Sequence, residues 1–125
     1  SAIFMGRKGS DKEKIRNFIC ERFEYDLSET VAQIREYYRS DPTCQGSVPQ
    51  AIIAFLESDD YEDAVRKAVS LGGDSDTIAC ITGGIAEAFY GGVPPTIAEK
   101  ALGLLDERLR GVVEEFAERH PLGVE

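Results

Sequence analysis

Apolar residues recur three and four positions apart along most of this chain, and no stretch alternates convincingly with the two-residue period of a strand. The spacing predicts a first helix opening at Ser10, an N-cap with Glu13 three residues on as in a capping box. It carries Ile15, Phe18 and Ile19 and runs to about Phe23. Ahead of it, Ser1 to Arg7 is apolar and lacks an initiator methionine, so it reads as the tail of an element that begins outside this chain. After a turn at Tyr25 to Ser28, with Ser28 as cap, Val31, Ile34 and Tyr38 mark one face of a second helix ending near Ser40. The aromatics of these two helices are expected to pack in the core.

Asp41 to Ser47 is rich in turn formers and has no periodic apolar face, which predicts a loop. Pro49 suits the first turn of a third helix carrying Ala51, Ile52, Ala54, Phe55 and Leu56. Ser58, Asp59 and Asp60 cap a fourth, from Tyr61 to about Leu71, with Ala64, Val65, Ala68 and Val69 facing inward. After Gly72-Gly73 a fifth helix starts near Thr77. Between Asp76 and Lys100 its neighbourhood holds only two charged residues, Glu87 and Glu99, so this helix should be buried, with its leading aspartates at the base of a cleft or an interface. Gly83 and Gly84 inside it imply that another helix packs closely there. Gly91 to Pro95 stops it and Thr96 caps a short sixth helix. Leu105, Leu109, Val112, Val113 and Phe116 then form an amphipathic stripe whose expected role is core contact. The whole reads as all-α, without internal repeats.

Composition narrows the function classes. With 125 residues and 42% hydrophobic content the chain fits one compact domain over residues 1–125. Its 23 acidic and 14 basic residues give a formal charge of -9, which disfavours nucleic acid and anionic membranes as partners. Cys20, Cys44 and Cys80 are widely spaced, without a Cys-x-x-Cys, which argues against a disulfide framework or structural zinc and for a reducing, cytoplasmic setting. His120 is the only histidine, so a Ser-His, Cys-His or multi-histidine centre within the chain is nearly excluded. No apolar run reaches the length of a membrane span and no signal peptide is visible.

Gly72-Gly73-Asp74-Ser75-Asp76-Thr77 concentrates the candidate chemistry. A helix N-terminus, worth roughly half an elementary charge, offsets only part of the repulsion between two adjacent carboxylates. A hard cation would offset the rest, and two Asp carboxylates and a Thr hydroxyl are the oxygen ligands it takes. An ordinary N-cap is the competing account of the same residues, and from these residues alone both remain open. Asp59 and Asp60, beside an exposed charged turn, read as caps.

The segment Gly72 to Ala79, continued by small residues to Tyr90-Gly91, resembles the late motif of the ADP-ribosylglycohydrolase family, which includes the dinitrogenase reductase activating glycohydrolases. Cys44 to Ala51, Phe55 to Ser58 and the Ala64 to Leu71 helix resemble the segment leading to that motif in bacterial members. The resemblance implies an all-α fold and a dinuclear magnesium or manganese centre. It also implies hydrolysis of the bond between ADP-ribose and a protein side chain or related acceptor. Carried over by residue, it makes Asp74, Asp76 and Thr77 metal ligands and places Cys44, Gln45, Gly46 and Ser47 near the substrate. The family draws its other ligands, and the carboxylate that acts on water, from an early Thr-Asp-Asp motif with no counterpart here; the resemblance therefore implies a C-terminal portion, inactive alone, that needs the missing half as partner. The alternative is a truncated, non-catalytic interaction or ligand-binding module that self-associates through its open apolar face.

Overall fold

The computed structural model describes residues 1–121. Among these residues it contains eight helices and no strand: α1 (Ala2–Arg7), α2 (Lys12–Phe23), α3 (Val31–Tyr37), α4 (Cys44–Leu56), α5 (Tyr61–Ser70), α6 (Ser75–Tyr90), α7 (Pro95–Gly103) and α8 (Glu107–Arg119). The all-α expectation is met. No described helix is long and apolar enough to cross a membrane.

The helix starts follow local hydrogen bonding more closely than apolar spacing. Asp11, not Ser10, caps α2, accepting from the Lys14 N–H at 2.8 Å. Thr30, not Ser28, caps α3 in a reciprocal capping box with Gln33, because Ser28 is held back in the preceding turn by Asp26. The predicted loop from Asp41 to Ser47 is only half right: Thr43 caps α4 at the Gly46 N–H, so Cys44 to Ser47 are its first turn. Pro49 therefore lies inside the helix, where its missing N–H forgoes one backbone bond while its ring is buried. Asp60 caps α5 as expected, and Asp59 donates its N–H to Asp63. Thr96 caps nothing; it is the second residue of α7.

α6 is the axis of the core, packed against α5, α4 and α1. Buried Thr82 donates its hydroxyl to the Ala51 carbonyl of α4 at 2.9 Å. Gly83 faces Tyr61 and Val65 of α5 and Gly84 faces Ile3 of α1, both at ordinary contact distance. Of the glycines where α6 meets its neighbours, it is Gly6 of α1 that packs most tightly, since a Cβ there would sit 3.2 Å from the Phe89 backbone nitrogen. At the C-terminal end of α6, Phe55, Phe89 and Tyr90 meet edge to face, and the Lys12 ammonium lies 5.2 to 5.6 Å from the three ring centres. Lys12 and the Tyr90 hydroxyl both donate to the Ser58 carbonyl, which locks α2, α4 and α6 together at this end.

Several packing expectations are corrected. Phe18, Phe23 and Tyr37, expected in the core, and Val69 all point outward, at 40%, 46%, 52% and 51% exposure. The stripe on α8 is not core: Leu109, Val112, Val113 and Phe116 are exposed, and neither α7 nor α8 buries a residue.

Candidate metal centre

The turn that leads into α6 is built on two glycines with positive φ, Gly72 at 77° and Gly73 at 62°, a conformation that costs other residues heavily. They swing the chain from α5 to the head of α6 within a few residues. Asp74 then occupies the N-cap position, yet its ψ of 67° is not that of an ordinary cap and its side chain accepts no capping bond. This separates the two accounts of the motif. A simple cap would hold its carboxylate on an N2 or N3 N–H, and Asp74 does not.

Its side chain acts instead on Asp76. The Asp76 carboxyl is held below the usual carboxylate range, first by the Asp74 side chain and then by the N–H groups of Thr77 and of Asp76 itself. The Thr77 N–H reaches Asp76 Oδ1 at 2.9 Å. Asp76 and Thr77 are exposed and Asp74 is half-buried, so the pair stands at the protein surface and not at the base of a cleft. Asp74, Asp76 and the neighbouring Thr77 hydroxyl are hard oxygen donors suited to magnesium or manganese. Among the described residues no group of three His, Cys, Asp or Glu side chains converges to hold a metal ion.

The second predicted segment reaches this turn through Tyr38. The Tyr38 hydroxyl donates to the Gly46 carbonyl at 2.8 Å, and Gly73 lies against the ring of the same tyrosine. Burial, followed by the charges of Asp41 and Asp74, pushes the Tyr38 hydroxyl pKa up. Cys44 and Gln45 are exposed on the first turn of α4. Ser47 is buried, its hydroxyl bonded to the Thr43 carbonyl at 2.7 Å. Of the four residues, Gly46 is the one tied to Tyr38. Sequence spacing placed Tyr38 in the core stripe, which is correct, but carried no signal of its bridging role. Asp59 and Asp60 stay with Ser58 near the opposite end of α6, and His120 lies against Phe116 at the end of α8. Cys20, Cys44 and Cys80 are free thiols.

A sequence model of ADP-ribosylglycohydrolase matches residues 7–123 of this chain. Among curated proteins, the ADP-ribosylarginine hydrolase Tri1 of Pseudomonas putida (strain GB-1) is 25% identical over 126 residues, covering 95% of this chain and 33% of the relative. The chain thus spans about a third of that relative's length. No solved structure matches it.

Proposed function

Because the chain belongs to the ADP-ribosylglycohydrolase family, we propose that it is one part of a metal-dependent ADP-ribosyl hydrolase and that Asp74, Asp76 and Thr77 are its contribution to a magnesium or manganese centre. The observation that carries this reading is that Asp74, the N-cap of α6 and two residues ahead of Asp76, is free of any capping bond. A divalent cation held there would supply a Lewis acid beside the reacting sugar. The chain's own residues would orient it: Gly72 and Gly73 set the turn, and Tyr38 braces Gly73 against the first turn of α4. The substrate class is an ADP-ribosylated protein or small molecule, with arginine as the acceptor suggested by the similar hydrolase. Catalysis needs ligands that these residues do not include, so the reading assigns hydrolysis to the site completed by further polypeptide and not to this chain alone.

The experiment is a manganese titration of the chain beside an Asp74→Asn, Asp76→Asn variant. Saturable binding by the parent that the variant loses is the expected result. Equal, negligible binding by both would leave the metal reading unsupported.

A second reading, an interaction module without catalysis, is favoured by the surface. The α8 stripe is bare, and an apolar cleft of about 390 Å³ opens between α1, α2, α4 and α6, lined by Ile3, Phe23, Ile52 and Ile81 among others.

A further inference from the structure

α8 stands apart from the rest of the fold. Every residue from 106 to 121 is exposed, and the helix is 13 residues long with Gly111 inside it. An isolated helix of that length is marginal in water, and a glycine within it weakens it further. Its stability therefore calls for a partner on the apolar side. Leu109, Val112, Val113 and Phe116 recur three and four residues apart and form one stripe, which the His120 ring extends at 4.8 Å from Phe116.

The charges beside the stripe select the partner and its direction. Arg108 and Glu115 are two helical turns apart, so both lie along the same edge of the stripe, while Glu107, Glu114 and Glu118 fall on the far side. Arg108 makes no hydrogen bond or ion pair among the described residues. Glu115 holds Arg119 through Oε1 and keeps Oε2 for a second donor. A two-fold axis near Val112 and Val113 satisfies both. Two copies of α8 laid antiparallel bring Leu109 beside Phe116 of the other copy and Arg108 beside Glu115 of the other copy, each twice by symmetry. In a parallel pair the basic beginnings would meet, with Arg108 near Arg110 of the other copy, and so would the acidic ends. Each chain carries a net charge of -9, which already opposes association, so a seam that adds like-charge contacts is disfavoured.

We propose that α8 is a homodimerisation element whose stripe is covered by the α8 of a second copy, antiparallel, with Arg108 paired to Glu115 across the seam. The proposal gives the interaction-module reading a definite partner and rests on it. It leaves the candidate metal centre at the head of α6 untouched. A seam only about 20 Å long makes a weak, reversible dimer.

The test exchanges the two charges. The parent, Arg108→Glu, and the double variant Arg108→Glu, Glu115→Arg are each followed by sedimentation velocity over rising concentration. A trace of fluorescently labelled parent is also sedimented with an excess of each unlabelled chain. Both positions are exposed, so the three thermal midpoints should agree. Arg108→Glu is expected to self-associate about tenfold more weakly than the parent, and the double variant to regain association with itself. Labelled parent should enter larger species with unlabelled parent but not with the double variant, where each edge would set like charges together. Labelled parent recruited equally well by the double variant, or Arg108→Glu associating as tightly as the parent, overturns the antiparallel pairing and leaves self-association standing. A parent that stays monomeric at every concentration removes the pairing and self-association together.

Discussion

Gly73 lies so close to Tyr38 that a Cβ on the glycine would come within 2.7 Å of the ring's Cε1, and about 3.1 Å from the Ser40 backbone. One tyrosine therefore sets the position of the Gly-Gly-Asp turn on one side and, through its hydroxyl, of the α4 first turn on the other. Gly73→Ala meets two obstacles at once, the clash and a φ of 62°, and is expected to destabilise the fold by about 1–3 kcal/mol. Tyr38→Phe keeps the ring and removes only the bond to Gly46, a loss of about 1 kcal/mol. Urea unfolding of both variants checks the ranking. A Gly73→Ala protein as stable as the parent would remove Tyr38 from its bracing role.

Inside the core, the Thr82 hydroxyl donates to the Ala51 carbonyl with no exposure to solvent. Thr82→Val has the same shape without the hydroxyl and should cost about 1 kcal/mol. Thr82→Ser keeps the hydroxyl and loses a methyl, which also costs about 1 kcal/mol. The two are distinguished by native-state hydrogen exchange, since only Thr82→Val removes the cross-link between α4 and α6. Equal protection of both helices in the two variants would argue that this bond does not couple them.

The existence of the helices was legible because the apolar period is local: Ile15 and Ile19, Val31 and Ile34, and Ala64 and Ala68 are buried on the faces their spacing marks. The start of α4 was not, because Cys44, Gln45 and Gly46 carry no periodic apolar face and are made helical by the Thr43 cap. The site was legible in its ligands, since Asp74, Asp76 and Thr77 are adjacent in sequence. Its surroundings were not, because Tyr38 meets Gly46 and Gly73 only through the packing of the chain on itself. The α8 stripe shows a further boundary of pattern reading: amphipathicity tells which face is apolar but not what covers it.

Glycine substitutions test where the helices come closest. Sequence reading placed the close approach at Gly83 and Gly84, whereas the backbones crowd at Gly6. Gly6→Ala should therefore destabilise, because its neighbour at 3.2 Å is the Phe89 backbone and cannot swing away. Gly84→Ala meets only the end of Ile3 at 3.7 Å, and should stabilise by up to about 1 kcal/mol through helix propensity. Thermal melts of the pair provide the check, and a reversed order would mean that α1 sits differently on α6.

Tyr37 gives a prediction in pH. Its hydroxyl donates to Glu29 Oε2 at 2.6 Å, and this bond, followed by burial and the Glu29 charge, raises its pKa from 10.0 to about 12. A pKa raised by folding means that the contribution to stability is fully present below the unfolded value of 10.0 and is lost as pH climbs through about 12. Glu29→Gln should let Tyr37 ionise earlier, seen as tyrosinate absorbance appearing at lower pH, and should flatten the loss of stability in this window. An unchanged tyrosinate curve would show that the bond does not persist in solution.

The α8 stripe supports the last prediction. Leu109, Val112, Val113 and Phe116 are 51%, 60%, 44% and 64% exposed, so they contribute little to the fold of α1 to α6. A double variant, Val112→Glu and Phe116→Glu, should leave the thermal midpoint of the chain nearly unchanged, since neither side chain leaves a cavity. Its effect should appear in association. An exposed apolar stripe of this kind is an adhesive face, and the parent is expected to shift to larger species in sedimentation velocity as concentration rises, while the double variant stays at the smaller size. A parent that remains monomeric throughout would remove self-association. A variant that melts far below the parent would place α8 back in the core, against its exposure here.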